Sequence, residues 1–261
     1  DKVPQPPAHD PQELLGVISA DRKQPYDMRE VLLRIIDAGE FREFKPGWGE
    51  TLVCGTACIH GYRVGILANN GALLSASSLK GAQFVSMCDQ RNIPLLFLHN
   101  ISGFMVGTDA ERGGIAKDSA KLVYAMSVAK VPRLSVLLGG SYGAGNYGMS
   151  GRAFNTRFTY LWPTAKIAIM GPKQIAGVMS LVRRGQAARK GIEFDEEADR
   201  KTTESVEHYH ELKSLALYSS GRVTDDGIID PRDTRDVIAL SLSACSNNKI
   251  EGAEGFGVFR M

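Results

Sequence analysis

At 261 residues the chain is long enough for one large domain or two small ones, with a substantial buried core. Hydrophobic residues at 43% and charged residues at 23% are ordinary for a globular protein, and a net charge of +2 with no basic run interleaved with aromatics argues against nucleic acid as a partner. No apolar run approaches the ~20 residues of a membrane span, and the opening DKVPQPPAHDPQELL lacks the basic and apolar regions of a secretory signal.

Residues 1–25, with Pro4, Pro6, Pro7, Pro11 and Pro25, read as an extended arm or linker. DMREVLLRIIDAGEF follows, with Asp27 as N-cap and Val31, Leu32, Ile35 and Ile36 on one stripe, which predicts a helix ending near Gly39. TLVCGTACI and YRVGILANN read as strands joined by a hairpin turn at Gly61. Cys54 and Cys58 have metal-ligand spacing, but no second pair follows. They read instead as buried thiols, and four cysteines in all fit a reducing compartment.

The chain then alternates. GALLSASSLKGAQFVSMCDQRN predicts a loop and helix, IPLLFLHN a buried strand, GIAKDSAKLVYAMSVAK a helix, and VPRLSVLLGG a second buried strand. GAGNYGMSGRAF reads as a glycine-rich turn entering a short helix, TAKIAIMG as a third strand, and PKQIAGVMSLVRR as a helix with Pro172 at its first position. A polar helix spans DEEADRKTTESVEHYHELKSLAL, and a last helix is capped by Asp230 with Pro231 and Asp233 behind it. The glycine-rich tail EGFGVFRM is not expected to be helical. The alternation implies an α/β fold with largely parallel pairing, and no internal repeat is evident.

Two glycine loops follow two neighbouring strands: HNISGFMVG (His99–Gly107) and GGSYGAGNYG (Gly139–Gly148). Strand ends are where α/β folds place their sites, and glycine lets backbone amides approach a ligand closely. Paired amides aimed at one point would stabilise a developing oxyanion or enolate. Gly139-Gly140-Ser141-Tyr142-Gly143 also fits the G-x-S-x-G elbow of a serine hydrolase, with Asp195 or Asp199 and then His208 or His210 in chain order behind Ser141. On the residues alone both readings stand, and His99 is a further acid–base candidate. Neither a P-loop nor a Met-Lys biotin-attachment motif is present.

NIPLLFLHNISGFMVG, GIAKDSAKLVYA, GGSYGAGNYGMSGRAF, WPTAKIAIMG, DDGIIDPRDTR and FGVFRM make the chain resemble, from about Asp10 to Met261, the carboxyltransferase β subunits of biotin-dependent acyl-CoA carboxylases, those acting on 3-methylcrotonoyl-CoA in particular. The resemblance implies a crotonase-like (ClpP/crotonase) ββα superhelix. Residues 26–261 would be the C-terminal, biotin-receiving domain of a two-domain subunit, inactive by itself. It would work with an N-terminal carboxyltransferase domain that binds the acyl-CoA, in a homo-oligomer with a hexameric β core. It implies a biotin carried on a partner α subunit with biotin carboxylase and carrier functions, and no metal or membrane. The backbone amides of Ala144 and Gly145 would contact the biotin ureido oxygen, with Gly103, Phe104, Met105, Val106, Gly107, Tyr142 and Gly143 lining the site and Ser141 a bystander. It also implies a place in leucine catabolism, in the cytoplasm of a bacterium or the mitochondrial matrix of a eukaryote. LYSSGRVT stands where the family has a segment like YYSSARLW, so geranyl-CoA and propionyl-CoA carboxylases of the same architecture remain alternatives.

Overall fold

The chain begins by folding back on itself. In the computed structural model, which describes residues 3–18 and 26–255, the Pro6 carbonyl accepts from Ala38 N at 2.9 Å and the Leu33 carbonyl from His9 N at 3.2 Å. A single turn of α-helix, α1 (Leu14–Val17), then sinks Leu14 into the core. In α2 (Met28–Leu32) Asp27 is the N-cap, its carboxylate accepting from Arg29 N at 2.9 Å.

The helix predicted to reach Gly39 stops at Leu32, and only a short 3-10 turn, Asp37–Gly39, follows. Its second half is drawn away by Asp37. That buried carboxylate accepts from His60 N at 2.9 Å and Gly61 N at 2.8 Å, and pairs with Arg235 at 2.7 Å. Ile36 is extended and Ala38 left-handed (φ 52) to put it there.

The strands are β1 (Arg42–Glu43), β2 (Leu52–Ile59), β3 (Tyr62–Asn69), β4 (Leu95–Ile101), β5 (Arg133–Tyr142), β6 (Phe158–Leu161), β7 (Lys166–Ala168) and β8 (Gly227–Ile228). They form one sheet in the order β1-β2-β3-β4-β5-β6-β8, with β7 also paired to β5. The pairs β1–β2 and β2–β3 are antiparallel, the latter closed by the turn at Gly61, and the rest are parallel, as the alternation predicted. β6 was not foreseen, because four residues are too few for their alternation to stand out along the chain. It shares one edge of β5 with β7: β6 pairs with Leu134–Leu137 and β7 with Gly140–Tyr142. The carbonyl of Leu138 between them accepts from Thr164 Oγ1 at 2.6 Å.

Side chains alternate across the sheet, so each face builds its own core. Val53, Ile59, Val64, Ile66, Leu96, Leu98, Leu134 and Val136 pack on one side with α2 and α10 (Thr234–Ser246), to which Trp162 is tied by its indole N–H donating to Thr234 Oγ1 at 2.9 Å. Leu52, Cys54, Leu67, Leu95, Phe97 and Ile101 face α3 (Ser75–Gln90) and α5 (Ile115–Val128) on the other. Burial raises the Cys88 thiol to about 12 and pushes the Cys54 thiol up further, so neither is a thiolate at neutral pH. Cys54 is buried as expected, whereas Cys58 is half-buried. Among the described residues no cluster of His, Cys, Asp and Glu could hold a metal ion, and no helix is long and apolar enough to cross a membrane.

Two long helices stand outside this sandwich. α7 (Pro172–Lys190) starts on Pro172 and ends at left-handed Gly191. α8 (Glu196–Ser214) starts at Asp195, whose carboxylate accepts from Glu197 N and Ala198 N at 3.0 and 2.9 Å. Asp199 ties them, accepting from Ser180 Oγ at 2.5 Å and Arg183 Nε at 2.6 Å. The polar stretch breaks at extended Leu215 before a short helix, α9 (Ala216–Ser220). Asp230 caps the turn before α10 by accepting from Arg232 N. The expectation for the tail falls, from residue 256 on, outside the described residues.

Candidate functional site

Because β4 and β5 are parallel neighbours, their C-terminal ends deliver both glycine segments to one edge of the sheet. The first segment is an irregular loop leading from Ile101 to a short helix, α4 (Thr108–Arg112). It is pinned to the chain before α3: Leu73 N donates to Gly103 O at 3.1 Å, and Met105 N to Leu73 O at 2.9 Å. The second segment, expected as a turn before a helix, is itself helical. It forms α6 (Gly143–Gly148), which begins directly on the last residue of β5.

Gly143 makes that abrupt change possible. Its φ is +53, and a Cβ there would stand 2.7 Å from the Ile169 carbonyl oxygen. Gly145 makes the contact between segments. A Cβ there would lie 3.0 Å from Gly103 Cα and 3.1 Å from Ile101 Cδ1, so the two loops touch backbone to backbone. The first amides of a helix have no intrahelical acceptor, and those of Ala144 and Gly145 belong to this first turn. Ala144 is exposed and Gly145 buried, so the first turn of α6 lies where the two glycine segments meet.

Of the remaining residues expected at the site, Phe104 instead turns into the core beside α3 and α5, its ring against Gly148. Met105 is 42% and Val106 78% exposed, presenting apolar side chains with no core to enter. Gly103 and Gly107 both take positive φ (138 and 124), holding the loop open. Tyr142 is half-buried, with its ring against Gly140. Behind α6 lies a cavity of about 220 Å³ lined by Asn146, Arg152, Ile167, Lys213, Tyr218 and Arg222.

Ser141 is not placed to attack. It is fully buried (0% exposed) on β5. Nor do its expected partners reach it: Asp195 is spent capping α8, Asp199 is held by Ser180 and Arg183, His208 lies exposed on α8, and half-buried His210 lies on α8 against Tyr209. Ser141 Oγ does meet a histidine, His99, whose Nδ1 is 2.9 Å away. His99 is equally buried, and its burial lowers its pKa to about 3. Among the described residues its far nitrogen has no hydrogen-bond partner, carboxylate or other. A neutral, enclosed Ser–His pair without an acid lacks the access and the orienting group that nucleophilic catalysis needs.

Ser141 is no bystander either. Asn146 Nδ2 donates to the same hydroxyl at 2.8 Å. Asn146 was not singled out from the sequence. Its only signal there is an amide side chain inside a run of glycines, where a turn already accounts for an asparagine.

A family model, the carboxyl transferase domain, matches residues 1–258. The chain belongs to that family. This carboxyl transferase domain is 50% identical over 255 residues to the probable mitochondrial methylcrotonoyl-CoA carboxylase beta chain of Drosophila melanogaster, covering 98% of the chain and 44% of the relative. It is 49% identical over 255 residues to the biotin-dependent 3-methylcrotonyl-coenzyme A carboxylase beta1 subunit of Mycobacterium tuberculosis, covering 98% and 48%. The carboxyl transferase domain therefore spans less than half the length of the curated relatives it matches, and the match lies in their C-terminal half. Among solved structures, the geranyl-CoA carboxylase beta subunit of P. aeruginosa superposes with a TM-score of 0.88 at 38% identity, covering 99% of the chain and 49% of that chain. Transcarboxylase 12S, described as a hexamer assembly with substrate bound to a multienzyme core, gives 0.85 at 33%, covering 99% and 49%. The carboxyl transferase domain thus has the crotonase-like fold of these carboxyltransferases.

Proposed function

We propose that this domain is the biotin-receiving half of an acyl-CoA carboxylase carboxyltransferase subunit, which moves a carboxyl group from carboxybiotin to an enoyl-CoA such as 3-methylcrotonoyl-CoA. The observation that carries the reading is the backbone contact between Gly145 and Gly103, which brings the Ala144 and Gly145 amides and the 103–107 loop to one crevice. The donor set suits a ureido group, since the donors are neutral main-chain N–H groups in the first turn of α6, at exposed Ala144 and its neighbour. A biotin held on a partner chain would supply the carboxyl group and a basic ureido group. Ala144 N–H and Gly145 N–H would donate to its ureido oxygen and stabilise negative charge there. They are fixed by α6 before the reaction, so no reorganisation is needed as charge moves. Met105 and Val106, exposed on the adjoining loop, would exclude water once a partner covers them. No titratable side chain of this domain is required to exchange a proton.

The acyl-CoA would be held by the N-terminal carboxyltransferase domain of a neighbouring protomer. Apolar side chains that this half leaves uncovered, Ile169 (87% exposed), Leu181 and Val182 among them, suit such a contact and a hexameric core. A biotin carboxylase and carrier α subunit would complete the enzyme. The relatives from Drosophila, Dictyostelium and Arabidopsis are named as mitochondrial, which fits the matrix if the source is eukaryotic.

The test is transfer of labelled carboxyl from the biotinylated carrier by the complete subunit, offered 3-methylcrotonoyl-, geranyl- and propionyl-CoA in turn. We expect 3-methylcrotonoyl-CoA to give the highest kcat/KM and a fluorophosphonate probe to leave Ser141 unlabelled. Labelling of Ser141 without carboxyl transfer would overturn the reading.

A further inference from the structure

The Ser141 hydroxyl joins three elements at one point. It closes β5, it accepts from Asn146 Nδ2 of α6 at 2.8 Å, and it lies 2.9 Å from His99 Nδ1 of β4. Those are the two strands that carry the glycine segments and the helix that carries the amides. Both His99 and Ser141 are wholly buried.

The protons can be counted. The hydroxyl accepts from Asn146, and among the described residues the acceptor offered to its single proton is His99 Nδ1. Nδ1 then carries no proton, and the ring proton sits on Nε2, which is buried without a hydrogen-bond partner among the described residues. We assign this tautomer to a ring that stays neutral at physiological pH. Asn146 is confined on its other side too, since a Cβ on Gly151 would stand 1.8 Å from its Oδ1.

α6 has six residues, too few to hold its own direction through helical hydrogen bonds. Its orientation must come from what it leans on. We propose that His99, Ser141 and Asn146 form a proton-neutral brace that sets the pitch of α6 and thereby the aim of the Ala144 and Gly145 amides. His99 is then a positioning residue acting through Ser141, and neither side chain exchanges a proton with substrate. The proposal rests on the carboxyl-transfer reading for its consequence, but not for its geometry.

The experiment uses the complete enzyme with His99→Ala, His99→Gln and Asn146→Ala, and measures two things. Steady-state kinetics should show kcat falling about tenfold or more in His99→Ala and Asn146→Ala, with KM for the acyl-CoA within about twofold, because misaimed donors weaken the transition state rather than substrate binding. His99→Gln offers a side-chain carbonyl to the Ser141 hydroxyl and should recover kcat to within about threefold, with the pH–rate profile keeping its wild-type shape. Amide hydrogen exchange over residues 143–149 should speed up in His99→Ala and Asn146→Ala and return toward wild type in His99→Gln, whatever the activity. Should His99→Ala fail to fold, the other two variants still decide.

Unchanged exchange and unchanged kcat in Asn146→Ala would overturn the brace, as would a lower melting temperature with kcat intact. A limb lost from the pH profile in His99→Gln would make His99 a general base instead. If the wild-type enzyme transfers no carboxyl group, the functional reading falls, while the exchange measurement still tests the brace.

Discussion

At His99, burial at the end of β4 lowers the pKa to about 3, whereas the unfolded chain titrates near the ordinary histidine value of about 6.5. Between these two values the unfolded state binds a proton that the folded state does not, so acid favours unfolding. Stability is therefore full above about pH 6.5 and declines as pH falls through that value toward 3, by about 1.4 kcal/mol per pH unit for this one group. Replacing His99 by Gln removes the term. Urea unfolding of wild type and His99→Gln should give midpoints whose difference is constant above pH 7 and closes or reverses by roughly 2 kcal/mol near pH 5. A difference independent of pH would mean that the ring is not held neutral.

The elements around the crevice show why glycine occupies positions that a helix would otherwise give to alanine. α6 approaches the 103–107 loop so closely at Gly145 that the nearest obstacles to a side chain include the Gly103 backbone, which cannot swing aside. Gly145→Val should push α6 away and lower turnover of the complete subunit by about a hundredfold or more, the loss of one oxyanion donor. A circular dichroism melt must accompany the assay, since a misfolded variant tests nothing. Turnover close to wild type would sink the amide cradle. Much of this geometry was legible in the sequence. The short, largely apolar runs LLFL and LSVLL, bounded by turn residues, read as buried strands, and two such strands ending in glycine segments placed the crevice. That the second segment is a helix was not legible, because its glycines mark tight backbone contact as readily as a turn. Asn146 and the Ser141–His99 contact were invisible for a different reason. They join residues across a strand–helix junction and across two strands, a relation with no period along the chain.

On the scale of the molecule, the least legible feature is what ties the chain's beginning to its end. Arg235 of α10 donates to the Ile35 carbonyl at 2.8 Å and the Gln5 carbonyl at 2.7 Å, and pairs with Asp37 at 2.7 Å. Asp37 in turn holds the β2–β3 turn through His60 N and Gly61 N. One buried ion pair thus gathers the first described residues, the end of α2, a hairpin and the last helix. The apolar spacing of Ile35 and Ile36 predicted more helix, and this pair is what overrides it. Removing one partner leaves the other charge buried with no counter-ion, at a cost of about 3–5 kcal/mol. Asp37→Ala should also release two buried amides, so it should be the more damaging change, lowering the melting temperature by about ten degrees or more. Arg235→Met keeps the packing of the stem and should fall less. Neither residue lies near the crevice between β4 and β5, so turnover per folded enzyme should be unchanged at temperatures below the melt. Loss of kcat in soluble, fully folded Arg235→Met would show instead that this tie reaches the site, with the sheet transmitting a shift from its antiparallel edge to the ends of its parallel strands.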